Sequence, residues 1–202
     1  MKFTPTVIAI NGNPAPLSRT QRLLEHVTGA VRRRSYGATQ IDLRTLPAEA
    51  LLTGDPHDEL IAEALKMVRD ADAVVIGTPI FKSAFSGLTK LFLDLLPRDG
   101  LRGKLVLPIA TGSSATHTMA LDYCLGPVLN SLGARQVLSP VFAGESQVRW
   151  TQERGLELDL EIIERLGGGI DALVDLLPEP VFPLPAATPN LRVLRFDAAQ
   201  HC

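Results

Sequence analysis

The chain has 202 residues, 46% of them hydrophobic, which is enough to bury one sizeable core. Its 20 Lys and Arg against 22 Asp and Glu leave a net charge of −2, so there is no footprint for nucleic acid or a membrane surface. No apolar run reaches the ~20 residues needed to span a bilayer.

Met1-Lys2-Phe3-Thr4-Pro5 runs directly into a strand rather than a signal peptide, so the expected location is the cytoplasm. Val7-Ile8-Ala9-Ile10 is the first strand, and a helix follows from about Arg19 to Arg33, ending near Gly37. Arg32-Arg33-Arg34 falls at that helix's negative end and reads as a solvated terminus. Gln40-Ile41-Asp42-Leu43 is a short second strand, and Leu43 to Pro56, with two prolines and a glycine, is expected to be irregular. A helix over about His57 to Val68 leads to Ala73-Val74-Val75-Ile76-Gly77, a run typical of a buried parallel strand. Leu88, Leu91, Phe92 and Leu95 then mark a third helix, which stops before Pro97. Leu105 to Ala110 is the fourth strand, about Thr116 to Leu132 the fourth helix, and Val137-Leu138 belongs to a fifth strand.

Cys124, inside the fourth helix, is expected to be a reduced core residue. It and Cys202 form no CxxC. Leu156 to Leu177 is expected as a last helix interrupted by Gly167-Gly168-Gly169. Strands alternating with helices require an α/β fold, a doubly wound five-stranded parallel sheet with helices on both faces. It would occupy residues 1–177 as one domain, with a Pro-rich extended tail over 178–202.

In such a sheet ligands bind beyond the carboxyl ends of the strands, where the loops after the first, third and fourth strands converge. Asn11-Gly12-Asn13-Pro14-Ala15-Pro16-Leu17-Ser18-Arg19-Thr20 joins the first strand to its helix. A helix start attracts an anion through unpaired N–H donors. Ser18 and Thr20 add hydroxyls, and Arg19 adds a charge suited to a phosphate. Ser18 also suits a simple helix cap. The segment lacks GxGxxG and GxxxxGK[ST], which argues against dinucleotide and triphosphate loops. No GxSxG elbow appears, and the four histidines show no metal-ligand spacing, so no metal is expected. Thr78-Pro79 through Ser86 and Thr111-Gly112-Ser113 through His117 supply backbone N–H, hydroxyl and imidazole groups suited to a flat, acceptor-rich ring. One phosphate, a polyol chain and such a ring describe flavin mononucleotide (FMN). For His117 a capping or supporting role is an equal alternative.

Thr78-Pro79-Ile80-Phe81-Lys82 through Ser86-Gly87, Leu93-Asp94-Leu95-Leu96-Pro97 and Leu105 to Gly112 resemble the NADPH-dependent FMN reductase family. The nearest branch is the flavin reductase component of two-component alkanesulfonate monooxygenase systems. Leu121-Asp122-Tyr123, Pro127-Val128-Leu129 and Val141-Phe142-Ala143 through Val148 extend the match to roughly residues 5–175. The resemblance implies a flavodoxin-like fold, hydride transfer from NADPH to FMN, release of reduced flavin to a partner monooxygenase, and a homodimer or homotetramer. Carried over by position, Ser18, Arg19 and Thr20 would hold the phosphate. Pro79, Ile80, Phe81, Lys82 and Ser86 would flank the isoalloxazine on one side, and Thr111, Gly112, Ser113 and His117 on the other. Ser113 departs from the family, where a second glycine is usual.

Pro127 cannot donate to the carbonyl of Tyr123 and clashes with it, which either kinks the helix or widens it into a π-bulge at Tyr123. The resembling reductases carry a π-helix there, at a subunit interface, which implies that Tyr123 modulates flavin release. Direct hydride transfer needs stacking and water exclusion rather than an acid or base, so no catalytic side chain is expected. Two alternatives share these loops: an NAD(P)H quinone or azo reductase that retains its FMN, and a non-enzymatic flavodoxin-type electron carrier.

Overall fold

The computed structural model describes residues 4–180. Five parallel strand positions form the sheet: β1 (Thr6–Asn11), β2 (Gly37–Asp42), β3 (Ala73–Phe81), β5 (Leu105–Gly112), and a fifth position shared by β6 (Gln136–Val137) and β7 (Val141–Gly144). Their order is β2-β1-β3-β5-β6, with β7 continuing beside β5 after the Ser139-Pro140 break. The strands are added outward in opposite directions from β1 and β3, and between these two parallel strands such sheets open a crevice. Asn11 pairs with both Asp42 and Gly77, and Pro79 pairs with Thr111, so the three strand ends finish on one rim. β4 (Ala84–Phe85) folds back on β3 as a hairpin at that rim.

Period-two alternation divides each strand between two cores. Ile8, Ile10, Val74, Ile76 and Val106 face α2 (Ala48–Thr53), α3 (Glu59–Asp70), α4 (Gly87–Leu95) and α5 (Gly126–Ser131). Val7, Ala9, Val75, Leu107 and Ile109 face α1 (Arg19–Arg33) and α6 (Leu160–Leu176). α1 forms because Leu23, Leu24, Val27 and Val31 make one apolar stripe behind a Ser18 cap. Fully burying a side chain such as Leu23 or Phe92 contributes about 1.5–3 kcal/mol. At the end of α1, Arg32 donates to the Ala38 carbonyl and Arg34 pairs with Asp171 of α6, so this terminus is tied down on two sides.

Four elements differ from expectation. The segment 43–56 is not wholly irregular: Leu43–Thr45 is a 3₁₀ turn, and α2 lies between Pro47 and a left-handed Gly54. Leu156–Leu158 belongs to β9 (Gly155–Leu158), which pairs with β8 (Val148–Thr151) as an antiparallel hairpin rather than opening a helix. α6 runs unbroken through Gly167-Gly168-Gly169. A side chain on Gly169 would begin 3.2 Å from Leu107, so glycine there lets the helix approach the sheet. Cys124 is only partly buried and is not a core residue, because the local helix widens and turns it toward the Ser83 carbonyl, 3.7 Å away.

That widening is the π-turn Leu121–Leu125, closed by the Gly126 N–H on the Leu121 carbonyl. It immediately precedes Pro127, where an α-helical register would drive the ring into a carbonyl. No described helix is long and apolar enough to cross a membrane. Of the Pro-rich segment 178–202, residues 181–202 lie outside the described residues, as do Met1 to Phe3.

Candidate functional site

The rim is built from hydroxyl and amide bonds between loops that are distant in sequence. Ser86 caps α4, accepting from the Thr89 N–H at 3.1 Å, and its hydroxyl donates to the Gly12 carbonyl at 2.6 Å. The Gly12 N–H in turn donates to the Gly77 carbonyl at 2.8 Å. Thr78 takes the Ser86 N–H and the Thr89 hydroxyl at 3.0 and 3.1 Å, which closes a buried cluster beneath the loops after β1 and β3. Ser86, expected beside a flavin ring, is therefore 2% exposed, with its hydroxyl committed to loop anchoring.

The loop after β1 curls around Asn13, whose Oδ1 accepts the Ala15 N–H at 2.9 Å. Leu17 sits at φ 52°, held by its N–H on the Gln21 amide oxygen. Ser18 caps α1, accepting from the Gln21 N–H at 3.2 Å. By helix geometry the N–H groups of Arg19 and Thr20 have no intrahelical acceptor. Arg19 is half exposed. Its Nε donates to the Val148 carbonyl at 3.1 Å, and an Nη lies 3.9 Å from Glu145. Thr20 is fully buried, with its hydroxyl 2.8 Å from that of Thr111. The structure thus brings Thr20 and Thr111 together, and Thr111, expected against the ring, turns its hydroxyl toward α1.

On the other side of the rim, Pro79 is buried in the sheet and Ile80 turns its side chain into the core. Phe81, 52% exposed, and Lys82 stand free. Lys82 and Ser83, at φ 51° and 62°, form the two-residue hairpin turn, which requires positive φ at both positions. Holding non-glycine residues there costs about 1–3 kcal/mol each, the kind of strain that collects at ligand sites. Behind this turn stands the π-turn, with Met119 and Tyr123 60% and 74% exposed.

The loop after β5 presents Gly112, exposed Ser113 and His117. A side chain on Gly112 would begin 2.9 Å from His117 Nδ1 and 3.1 Å from Phe142, so either ring would have to shift to admit one. His117 Nδ1 is buried and has no partner among the described residues. Beyond this loop lies a cavity of about 690 Å³ lined by Glu145, Asp159 and Glu161 against Arg165. Its acidity disfavours a phosphate there.

The described chain matches the family of NADPH-dependent FMN reductases over residues 5–148. The chain belongs to the NADPH-dependent FMN reductase family. It is 36% identical to the FMN reductase (NADPH) of Pseudomonas putida over 181 residues, covering 88% of this chain and 92% of that protein. It is 37% identical to the FMN reductase (NADPH) of Escherichia coli over 142 residues, 70% and 74% of the two chains. The apo structure of the NADH:FMN oxidoreductase EMOB superposes with a TM-score of 0.79 at 36% identity, covering 89% and 94%. This reductase is therefore an oxidoreductase with the flavodoxin-like fold, and FMN and NADPH are its family's ligands. The buried, unpartnered imidazole nitrogen and the open first turn of α1 fit an acceptor-rich flavin phosphate. Sequence reasoning missed Asn13 and Thr89, which hold the loops, and read Thr78 as part of the ligand-facing polar loop, whereas it is fully buried beneath it. Asn13 was visible only as a turn former.

Proposed function

We propose that this reductase oxidises NADPH and passes the electrons to FMN as a departing substrate, supplying reduced flavin to a partner monooxygenase acting on sulfonates or other organosulfur compounds. The observation that carries the reading is the π-turn at Tyr123, which places a largely exposed aromatic ring behind the strained Lys82-Ser83 turn. When bound, FMN supplies an N5 that accepts the hydride and so needs no acid or base from the protein.

The protein's part is to bind and orient. Arg19 and the first-turn N–H groups of α1 take the phosphate beside the Ser18 cap. Pro79, Phe81 and Lys82 line one side of the ring by backbone and side chain; Ile80 contributes its backbone alone, and Ser86 holds the loop from beneath. Gly112, Ser113 and His117 line the other side, and Thr20 and Thr111 support the phosphate arm from below. The exposed apolar side chains of Phe81, Met119 and Tyr123 support a homodimer or homotetramer meeting at this rim. The work would be done in the cytoplasm.

The test is to record the purified protein's flavin absorbance and then follow NADPH oxidation against added FMN. Little bound flavin and a rate that saturates in FMN are expected. A yellow protein whose rate ignores added FMN and needs a quinone or azo acceptor overturns the reading. A Tyr123→Ala variant is expected to retain flavin through gel filtration that strips it from the native protein, and equal stripping would remove Tyr123 from the account.

A further inference from the structure

We infer that Asn13 is a positioning residue that orients a one-way relay of hydroxyl hydrogens, Asn13 to Thr20 to Thr111, so that Thr111 presents a donor to an acceptor oxygen of the flavin's ribityl phosphate arm. The inference rests on the FMN-binding reading above. Asn13 is 8% exposed, Thr20 fully buried and Thr111 6% exposed, so solvent does not set their hydrogens.

The direction follows from what each group can give. Asn13 Oδ1 is the acceptor for the Ala15 N–H at 2.9 Å, so the amide's other end, Nδ2, must face Thr20, and it donates there at 3.0 Å. The side chain cannot flip without setting two N–H groups against each other. A threonine hydroxyl has one hydrogen. By distance alone either hydroxyl could donate across the 2.8 Å Thr20–Thr111 contact, but Asn13 shows Thr20 only an N–H, so Thr111 is the one acceptor among the described residues for the hydrogen of the fully buried Thr20. Thr111 therefore accepts, and its own hydrogen has no acceptor among the described residues. Thr111 lies on the α1 side of β5, against the first turn of the helix where the phosphate reading places the anion. The Asn13 backbone is fixed separately, its N–H donating to Asn11 Oδ1 at 3.2 Å, and Asn11 is held by Asp42 at 3.4 Å.

Asn13→Asp tests the direction without changing shape. An aspartate still accepts from Ala15 but cannot donate, so Thr20 turns its hydrogen toward residue 13 and Thr111 turns its hydrogen toward Thr20. The ligand then meets lone pairs where it met a donor. Equilibrium titration of FMN fluorescence with the full chain is expected to show a Kd raised about tenfold by Asn13→Asp and similarly by Thr111→Val. In the Thr111→Val background, Asn13→Asp is expected to add less than about twofold, because the relay no longer has an end. An equal loss in both backgrounds would mean that the new charge or a disturbed fold acts directly, and would overturn the relay, as would an unchanged Kd. If Asn13→Asp does not fold, Thr20→Val cuts the middle link. A loss of about threefold that vanishes in the Thr111→Val background supports the relay, and an undiminished or background-independent affinity overturns it. Failure of the native protein to bind FMN would overturn the underlying functional reading instead.

Discussion

The hydroxyl of Ser86 donates to the carbonyl oxygen of Gly12 at 2.6 Å, fastening together two loops whose residues are 74 positions apart. The fastening leaves no space at residue 12. A side chain there would begin 1.8 Å from the Thr89 hydroxyl oxygen, and the Gly77 carbonyl stands 3.3 Å away. Gly12→Ala is expected to destabilise the fold by about 1–3 kcal/mol in urea titrations, the usual range for overpacking a rigid interior. Adding Thr89→Ala removes the nearest atom, so the double variant is expected to fall short of the sum of the single losses.

Arg19 has two tasks, holding the β8–β9 hairpin through Val148 and meeting a phosphate with its remaining N–H groups. Arg19→Ala is expected to raise the Kd for FMN about ten- to a hundredfold, the loss of a charged hydrogen bond. Arg19→Lys keeps the charge without the Nε donor and is expected to recover only part of that loss. Fluorescence titration at two salt concentrations checks both, since the charge-dependent share weakens with ionic strength.

The same hairpin carries Trp150, the chain's single tryptophan, with the Arg22 guanidinium 4.0 Å from its ring centre. Arg22→Ala is expected to shift the indole emission to the red and to lower the urea midpoint only slightly, because a partly exposed cation–π contact contributes about 0.5–1 kcal/mol. An unshifted spectrum would mean that Arg22 does not hold the indole in solution.

His26, half-buried on α1, has its pKa lowered from the ordinary 6.5, first by burial and then by the nearby Arg33. The fold therefore favours the neutral ring. The associated stability is fully present above the unfolded value near 6.5 and is lost as pH falls through the lower folded value. Thermal melts at pH 7.5 and pH 5 are expected to show a smaller acid loss for His26→Gln than for the native chain.

The doubly wound order was legible because its strands are continuous apolar runs, such as Val74 to Ile76, separated by amphipathic helices. The missed boundaries have local causes. Leu156 and Leu158 alternate as a strand does, but the helical pattern from Leu160 follows so closely that the two merge. Pro47 and Gly54 are sound helix-boundary residues, yet six residues between them are too few to show a period. At the site, the rim loops were readable from small and polar residues placed after strands. Which hydroxyl faces a ligand was not, because Ser86 and Thr20 find partners 74 and 91 residues away. Only the folded packing decides that.

The three successive glycines of α6 make its middle a poor helix former in isolation, each costing about 1 kcal/mol relative to alanine. The segment borrows its order from the sheet, through Ile162, Leu166, Ile170 and Leu173. During synthesis, β1 through β7 emerge before α6, so half of one sheet face waits uncovered until the last helix arrives. The nascent protein therefore depends on its final described element for protection against self-association, and a ribosome stalled before residue 160 would hold an adhesive intermediate.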